Sequence, residues 1–266
     1  MILDQSVRDY LSGGAVLPVF HFGRTGSTLL QHCLGQSDEV IAAGEIFTNA
    51  QNNDDFQFRH PIDFQTILLG DRSFEAARKV QKKFLFEFKY LNFCEHLQHI
   101  ALEPVLADFA TLLGRKIILL RRRNAVKRIV SVLKAWKTGT YFIKDGQDRS
   151  TAAGFELPLT NLQDFGTGAC ADDFLSLLRK SVLIENAVSA AVISTYPNVL
   201  ELWYEDDLEY HPSKGIEKVC RFANIKSFDF KVKLQRTSTE LSADLRNFGA
   251  LHEILAGSEF EDMLKS

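Results

Sequence analysis

Phe20-His21-Phe22-Gly23-Arg24-Thr25-Gly26-Ser27-Thr28-Leu29-Leu30 is the stretch on which the fold turns. Ahead of it, residues 15–22 form a short apolar run ending at Gly23, the pattern of a buried strand entering a tight turn. Behind it, residues 28–34 carry apolar side chains at helical spacing. A strand, a glycine-bearing turn and a helix start aim several backbone N–H groups at one point. The helix dipole adds partial positive charge there, so the geometry suits a cluster of anionic oxygens. Gly23 and Gly26 let the backbone approach closely, Ser27 and Thr28 offer hydroxyl donors, and Arg24 and Thr25 lie between the glycines. A glycine turn of this kind also occurs without any ligand, so the anion has to be read from the details.

Those details depart from a nucleoside-triphosphate loop. The GxxxxGK[ST] pattern sets a lysine on the β- and γ-phosphates and a hydroxyl on magnesium. Here His21 stands at the first glycine position and Ser27 at the lysine position, while the cation has moved to Arg24. Such a loop suits a shorter group, with arginine contacting the oxygen that bridges phosphate and leaving group.

Further strand-like segments are expected at residues 40–42, 84–90, 116–120 and 198–204, and helices at 103–113, 125–136 and 172–196. Strands alternating with helices predict an α/β fold: a single doubly wound domain over residues 1–266, with a parallel sheet flanked by helices on both faces. Residues 48–61, rich in Asn, Asp and Gln, and residues 137–168, rich in Gly, Thr and Asp, break the rhythm. Both are read as acceptor-site loops or lids, with a mobile surface insertion as the alternative for the second.

The second signal is Lys116-Ile-Ile-Leu-Leu-Arg121-Arg122-Arg123-Asn124-Ala125-Val126-Lys127-Arg128-Ile129-Val130-Ser131. In a P-loop NTPase the corresponding strand commonly leads to an aspartate that helps hold magnesium. Three arginines in its place predict a second anion site at the carboxyl end of the sheet, where open α/β folds bind ligands. Val126, Ile129, Val130, Leu133 and Trp136 form an apolar helical stripe, with Asn124, Lys127 and Ser131 on an adjoining polar face. A solvated basic helix start is the other reading of the same run. A nucleic-acid surface is not expected, because no aromatic residues interleave with the cations and the net charge is −3.

Bulk properties agree. The 266 residues are 45% hydrophobic, and 31 basic residues face 34 acidic ones, so any basic site must be local. Cys33, Cys94, Cys170 and Cys220 lie far apart and suit idle thiols in a reducing compartment, with a single disulfide the alternative. No apolar run has membrane-spanning length and the first residues lack a signal core, so a cytoplasmic protein without a transmembrane segment is expected. His96 and His99 share a helix spacing without a third ligand, and no metal is expected.

At the two anion motifs the sequence resembles the family of sulfotransferases that use 3′-phosphoadenosine-5′-phosphosulfate (PAPS). Arg24-Thr25-Gly26-Ser27-Thr28-Leu29-Leu30 is similar to its 5′-phosphosulfate loop, and Arg123 with Ser131 to its 3′-phosphate pair. The arginine, in place of lysine, is similar to the carbohydrate-type and bacterial glycolipid branches, trehalose sulfotransferases among them. The resemblance covers residues 16–48, 115–136 and, more loosely, 200–225. It implies a P-loop-NTPase-like sulfotransferase fold and PAPS as sulfuryl donor. It implies a small-molecule hydroxyl acceptor, with a sugar, polyol or glycolipid favoured. Within Ala43-Gly44-Glu45-Ile46-Phe47, Glu45 matches the glutamate proposed as base in the bacterial trehalose-type relatives; an exposed turn glutamate is the other reading. Lys89 matches a lysine common in these relatives, a candidate to contact acceptor or sulfuryl oxygens, or else is a surface strand-end lysine. Arg236 and Thr237, with Lys231, Lys233 and Gln235, resemble a cofactor-closing segment, or form a solvated basic loop. The rival readings are a P-loop nucleotide kinase or NTPase and a non-catalytic nucleotide-binding module.

Overall fold

The computed structural model describes residues 4–47, 61–90, 102–113, 115–139, 143–144, 154–163, 170–235 and 240–265, without the side chains of 61–65, 143–144 and 235. Its strands are β1 (Val16–His21), β2 (Val40–Gly44), β3 (Lys83–Lys89), β4 (Lys116–Arg121), β5 (Ile143–Lys144), β6 (Thr160–Leu162), β7 (Ala171–Asp173), β8 (Asn198–Trp203) and β9 (Leu234–Gln235). Contacts divide the chain into two compact units, one of residues 1–121 and 187–232, the other of residues 122–186 and 233–266.

The first unit is built on a five-stranded sheet in the order β2-β3-β1-β4-β8, with every neighbouring pair parallel. All five carboxyl ends therefore lie along one edge. β1 and β4 are buried along nearly their whole length, which is why they read as continuous apolar runs rather than alternating ones. On β3 the alternation of side chains separates two kinds of core. Phe84, Phe86 and Phe88 point to one face. There they meet Phe20 of β1, Phe47, Phe74 of helix Arg72–Lys79 and Phe109 of helix Leu102–Leu112 in a set of mostly edge-to-face rings. Leu85 points to the other face, where Leu17, Val19, Ile118, Leu120 and Leu202 pack against helices Ser27–Leu34 and Pro212–Ala223. The abundant phenylalanines are thus core, each well-packed ring pair contributing about 0.5–1.5 kcal/mol beyond its buried area.

The second unit packs helix Ala125–Thr138 and the start of helix Phe174–Thr195 around Phe155, Leu157, Leu162, Leu241, Leu245, Leu251 and Phe260. Val126, Ile129, Val130 and Leu133 supply the expected apolar stripe, but Trp136, in the last turn of the helix, is 60% exposed and leaves it. The expected irregular loop at 137–168 has more structure than its composition suggests. Within it, β6 pairs antiparallel with β7, and Phe155 exchanges backbone hydrogen bonds with Asp244 and Arg246. The Asn247 amide brackets Leu157, accepting from its N–H at 3.0 Å and donating to its carbonyl at 2.8 Å. Residues 154–163 are therefore tied into a core. Most of the other irregular segment, 48–60, lies outside the described residues, as do His96 and His99. Among the described residues, no helix is long and apolar enough to cross a membrane, and Cys33, Cys170 and Cys220 are free thiols.

Candidate functional site

The loop after β1 has the shape its glycines announce. Gly23 (φ 79°), Arg24 (φ 55°) and Gly26 (φ 93°) all take left-handed backbone conformations. For Arg24 that conformation is sterically unfavourable, and strain of this kind persists only where surrounding structure enforces it. The two glycines are needed for different reasons. A Cβ at Gly23 would meet nothing within 4 Å among the described residues, so of these only the backbone angle demands glycine there and they leave the space beside it open. A Cβ at Gly26 would lie 2.5 Å from Cδ2 of Tyr204, so the loop also needs glycine to pack on that ring.

Tyr204 is held in place by an unusual turn. After β8 the chain forms a single π-helical segment, Tyr204–Glu209, a conformation frequent at functional sites. The buried Asp207 carboxylate secures it by accepting from the Trp203 N–H (2.9 Å) and from Lys218 Nζ (2.6 Å). Gly215 lets helix Pro212–Ala223 close on the turn, because a Cβ there would stand 2.6 Å from the Asp207 carbonyl oxygen.

Gly26 is also the N-cap of helix Ser27–Leu34 and has no side chain with which to cap it. The first-turn N–H groups and the positive end of the helix dipole therefore face the loop without a carboxylate or hydroxyl from the cap position. Thr25 is fully buried, and its Oγ1 has no hydrogen-bond partner among the described residues. Thr28 is exposed. Ser27 is buried, and its hydroxyl is directed inward to Glu87.

Glu87 sits on β3 among apolar neighbours, only 4% exposed. Burial pushes its carboxyl upward, yet the contacts with His21 and Ser27 and the nearby Lys89 charge outweigh that, and the net direction is down. His21 Nε2 lies 3.0 Å from Glu87 Oε2, off the line of a well-aligned hydrogen bond. The other ring nitrogen, Nδ1, accepts from the Gly23 N–H at 3.1 Å.

Two of the sequence-predicted residues meet directly. Glu45, just beyond β2, forms an ion pair with Lys89, the last residue of β3. Lys89 is also in register with His21, the last residue of β1. Neighbouring strands are about 4.8 Å apart, so the loop after β1, Lys89 at the end of β3 and Glu45 after β2 occupy adjacent stations on one sheet edge. The pair remains partly accessible, with side-chain exposures of 18% for Lys89 and 31% for Glu45.

The basic run divides among several roles. Arg121, at the end of β4, lies over the Trp203 ring at 4.4 Å and within 3.5 Å of Glu201, so its charge is engaged within the sheet. Arg128 is 2% exposed and paired with Glu185 at 3.2 Å, and the buried Lys134 faces Asp244 at 3.4 Å. Asn124 is the N-cap of helix Ala125–Thr138, accepting from the Lys127 N–H and donating to the Met263 carbonyl, both at 2.7 Å. Arg123 is exposed just ahead of that cap, and Ser131 is half-buried two turns further on, both in the second unit. Arg236 and Thr237 lie outside the described residues.

Sequence reading overlooked His21, Glu87, Tyr204 and Asp207 as parts of the site. The available signal was Glu87 itself, a lone acid inside the apolar run Phe84-Leu85-Phe86-Glu87-Phe88, which a buried strand tolerates only with partners. Fold and loop together define an α/β protein of the open parallel-sheet class, with a strained strand–turn–helix loop at the carboxyl edge. No protein-family model matches the chain, and no curated protein matches it.

Proposed function

We propose that the chain is a PAPS-dependent sulfotransferase that moves a sulfuryl group to the hydroxyl of a small acceptor, of sugar, polyol or glycolipid type. The observation that carries the reading is the sheet edge on which the strained Gly23–Gly26 loop and the Glu45–Lys89 pair stand side by side. The loop suits an anionic group on three counts: open space at Gly23, an uncapped helix N-terminus after Gly26, and the orphaned Thr25 hydroxyl. The resemblance of Arg24–Leu30 to the phosphosulfate loop of that family, and of Arg123 and Ser131 to its 3′-phosphate pair, selects the anion.

PAPS supplies the activated sulfuryl group. The loop N–H groups and Arg24 hold the 5′-phosphosulfate; Arg123 and Ser131 hold the 3′-phosphate. Glu45 takes the proton of the attacking hydroxyl as its oxygen bonds to sulfur, and Lys89 orients the Glu45 carboxylate. As the bond from sulfur to the phosphate oxygen breaks, the Arg24 guanidinium stabilises the charge that collects on that oxygen. The products are a sulfate ester and 3′-phosphoadenosine-5′-phosphate, also called 3′,5′-ADP.

The test is transfer of label from sulfate-labelled PAPS across a panel of sugars, polyols and glycolipids. The proposal expects transfer by the wild type. Glu45→Gln is expected to bind 3′,5′-ADP normally and to lose transfer. Unchanged turnover in Glu45→Gln removes its role as base, and no transfer to any acceptor class removes the proposal.

A further inference from the structure

Beneath the loop lies a buried group that the proposed chemistry does not use: His21, Glu87 and Ser27. His21 and Glu87 are 1% and 4% exposed, so neither relies on solvent to settle its protons. Each ring nitrogen of His21 faces a different demand. At Nδ1 the neighbour is the Gly23 N–H, 3.1 Å away. Two N–H groups cannot point at each other, so Nδ1 must offer a lone pair, which excludes the imidazolium while the loop has this form. At Nε2 the neighbour is a carboxylate oxygen, 3.0 Å away. Two lone pairs at that distance in a water-free interior repel, so Nε2 must carry the proton. Both constraints select the same neutral tautomer.

The contact from a side chain to the N–H two residues on is the one an asparagine makes in an Asx turn. His21 makes it from the end of a strand, and the residues that follow, Gly23 and Arg24, are in the left-handed region. We propose that His21 is a positioning residue for the loop: Glu87 keeps the proton on Nε2, Nδ1 thereby accepts from Gly23, and this bond holds Gly23 and Arg24 in their binding conformation. The inference deepens the function proposed above, since it takes the loop to be the phosphosulfate site. A consequence is that the Gly23 N–H faces inward and is not among the donors offered to the anion.

The proposal separates an acceptor role from a packing role through two substitutions of opposite character. His21→Asn shortens the side chain but keeps an acceptor within reach of the Gly23 N–H. His21→Leu fills more of the space and offers no acceptor. Amide hydrogen exchange at Gly23, read in ¹⁵N-labelled protein without any ligand, is expected to be slow in the wild type and in His21→Asn, and at least roughly tenfold faster in His21→Leu. In the same wild-type sample, the His21 ring nitrogens are expected to show a protonated Nε2 and a bare Nδ1 at neutral pH. Calorimetry with 3′,5′-ADP is expected to follow the exchange order, with His21→Leu weaker by about tenfold.

A protonated Nδ1 in the wild type, or Gly23 exchange better protected in His21→Leu than in His21→Asn, overturns the proposal. If His21→Leu does not fold, the wild-type tautomer and the His21→Asn exchange rate still decide it. A wild type with the expected tautomer and protection that does not bind 3′,5′-ADP leaves the positioning intact and removes the phosphosulfate reading alone.

Discussion

The loop after β1 and the basic run after β4 looked alike as sequence signals, each a compact cluster suited to an anion. They differ in what determines their outcome. In the loop the decisive property is local backbone conformation: Gly23, Arg24 and Gly26 are left-handed, and glycine is the residue for which that is least costly. In the basic run the decisive property is which acid each cation meets, and those acids lie far away in sequence. Arg121 meets Glu201, Arg128 meets Glu185 and Lys134 meets Asp244. Backbone-encoded sites are legible from their own residues; charge-encoded ones are not. Of the arginines in the run, Arg123 is the one the solvent reaches most openly.

This contrast is sharpest at Arg128. Removing one member of a buried ion pair leaves a charge without compensation, so Arg128→Leu should lower unfolding stability by about 3–5 kcal/mol. Replacing Glu185 by an apolar residue in the same chain should restore much of the loss in chemical denaturation. If Arg128→Leu instead weakens 3′,5′-ADP binding at full stability, the division of the run into structural and exposed cations is wrong. Arg24→Ala should do the opposite, lowering turnover by roughly two to three decades while leaving the melting temperature nearly unchanged. A stability loss without a loss of turnover would make Arg24 structural.

Smaller effects test the backbone side of the comparison. Gly26→Ala forces an L side chain into a left-handed position, at about 1–2 kcal/mol, and adds the clash with Tyr204; thermal unfolding should report at least that much. Asn124→Ala removes a helix cap and should cost about 1 kcal/mol in the same measurement, with no role expected for the Asn124 side chain in anion binding. Glu87 supplies the pH dependence. Its folded carboxyl lies below the ordinary carboxylate value of 4.5, so the folded state binds fewer protons there than the unfolded one. Its contribution is present at neutral pH and fades as the pH falls through the ordinary value toward the lower folded one. Glu87→Gln should therefore flatten the acid limb of the stability profile, and an unaltered limb would contradict the role of Glu87 as a buried, stabilised carboxylate.

The fold was largely readable because buried parallel strands are continuous apolar runs bounded by punctuation. Expected strands at 84–90 and 116–120 appear as Lys83–Lys89 and Lys116–Arg121, and the helix expected at 172–196 appears as Phe174–Thr195. The π-helical turn was not readable, since Tyr204–Glu209 is held by the Asp207 to Lys218 contact and by close packing at Gly215. The pairing of Glu45 with Lys89 was equally out of reach, because each residue is an ordinary strand-end charge until parallel registration brings β2 and β3 together. Trp136 shows the limit of periodicity: it keeps the helical spacing of the apolar stripe yet lies where the core has ended. Residues 154–163 show the limit of composition, because their anchors, Asp244, Arg246 and Asn247, are about ninety positions further along.

The central proposal is that the loop binds a phosphosulfate rather than a triphosphate. Titration calorimetry of the wild type with 3′,5′-ADP, and separately with ATP and magnesium, tests it most directly. The account predicts saturable binding of 3′,5′-ADP that Arg123→Ala weakens, with ATP and magnesium binding far more weakly. Tight, magnesium-dependent ATP binding without measurable affinity for 3′,5′-ADP would contradict it.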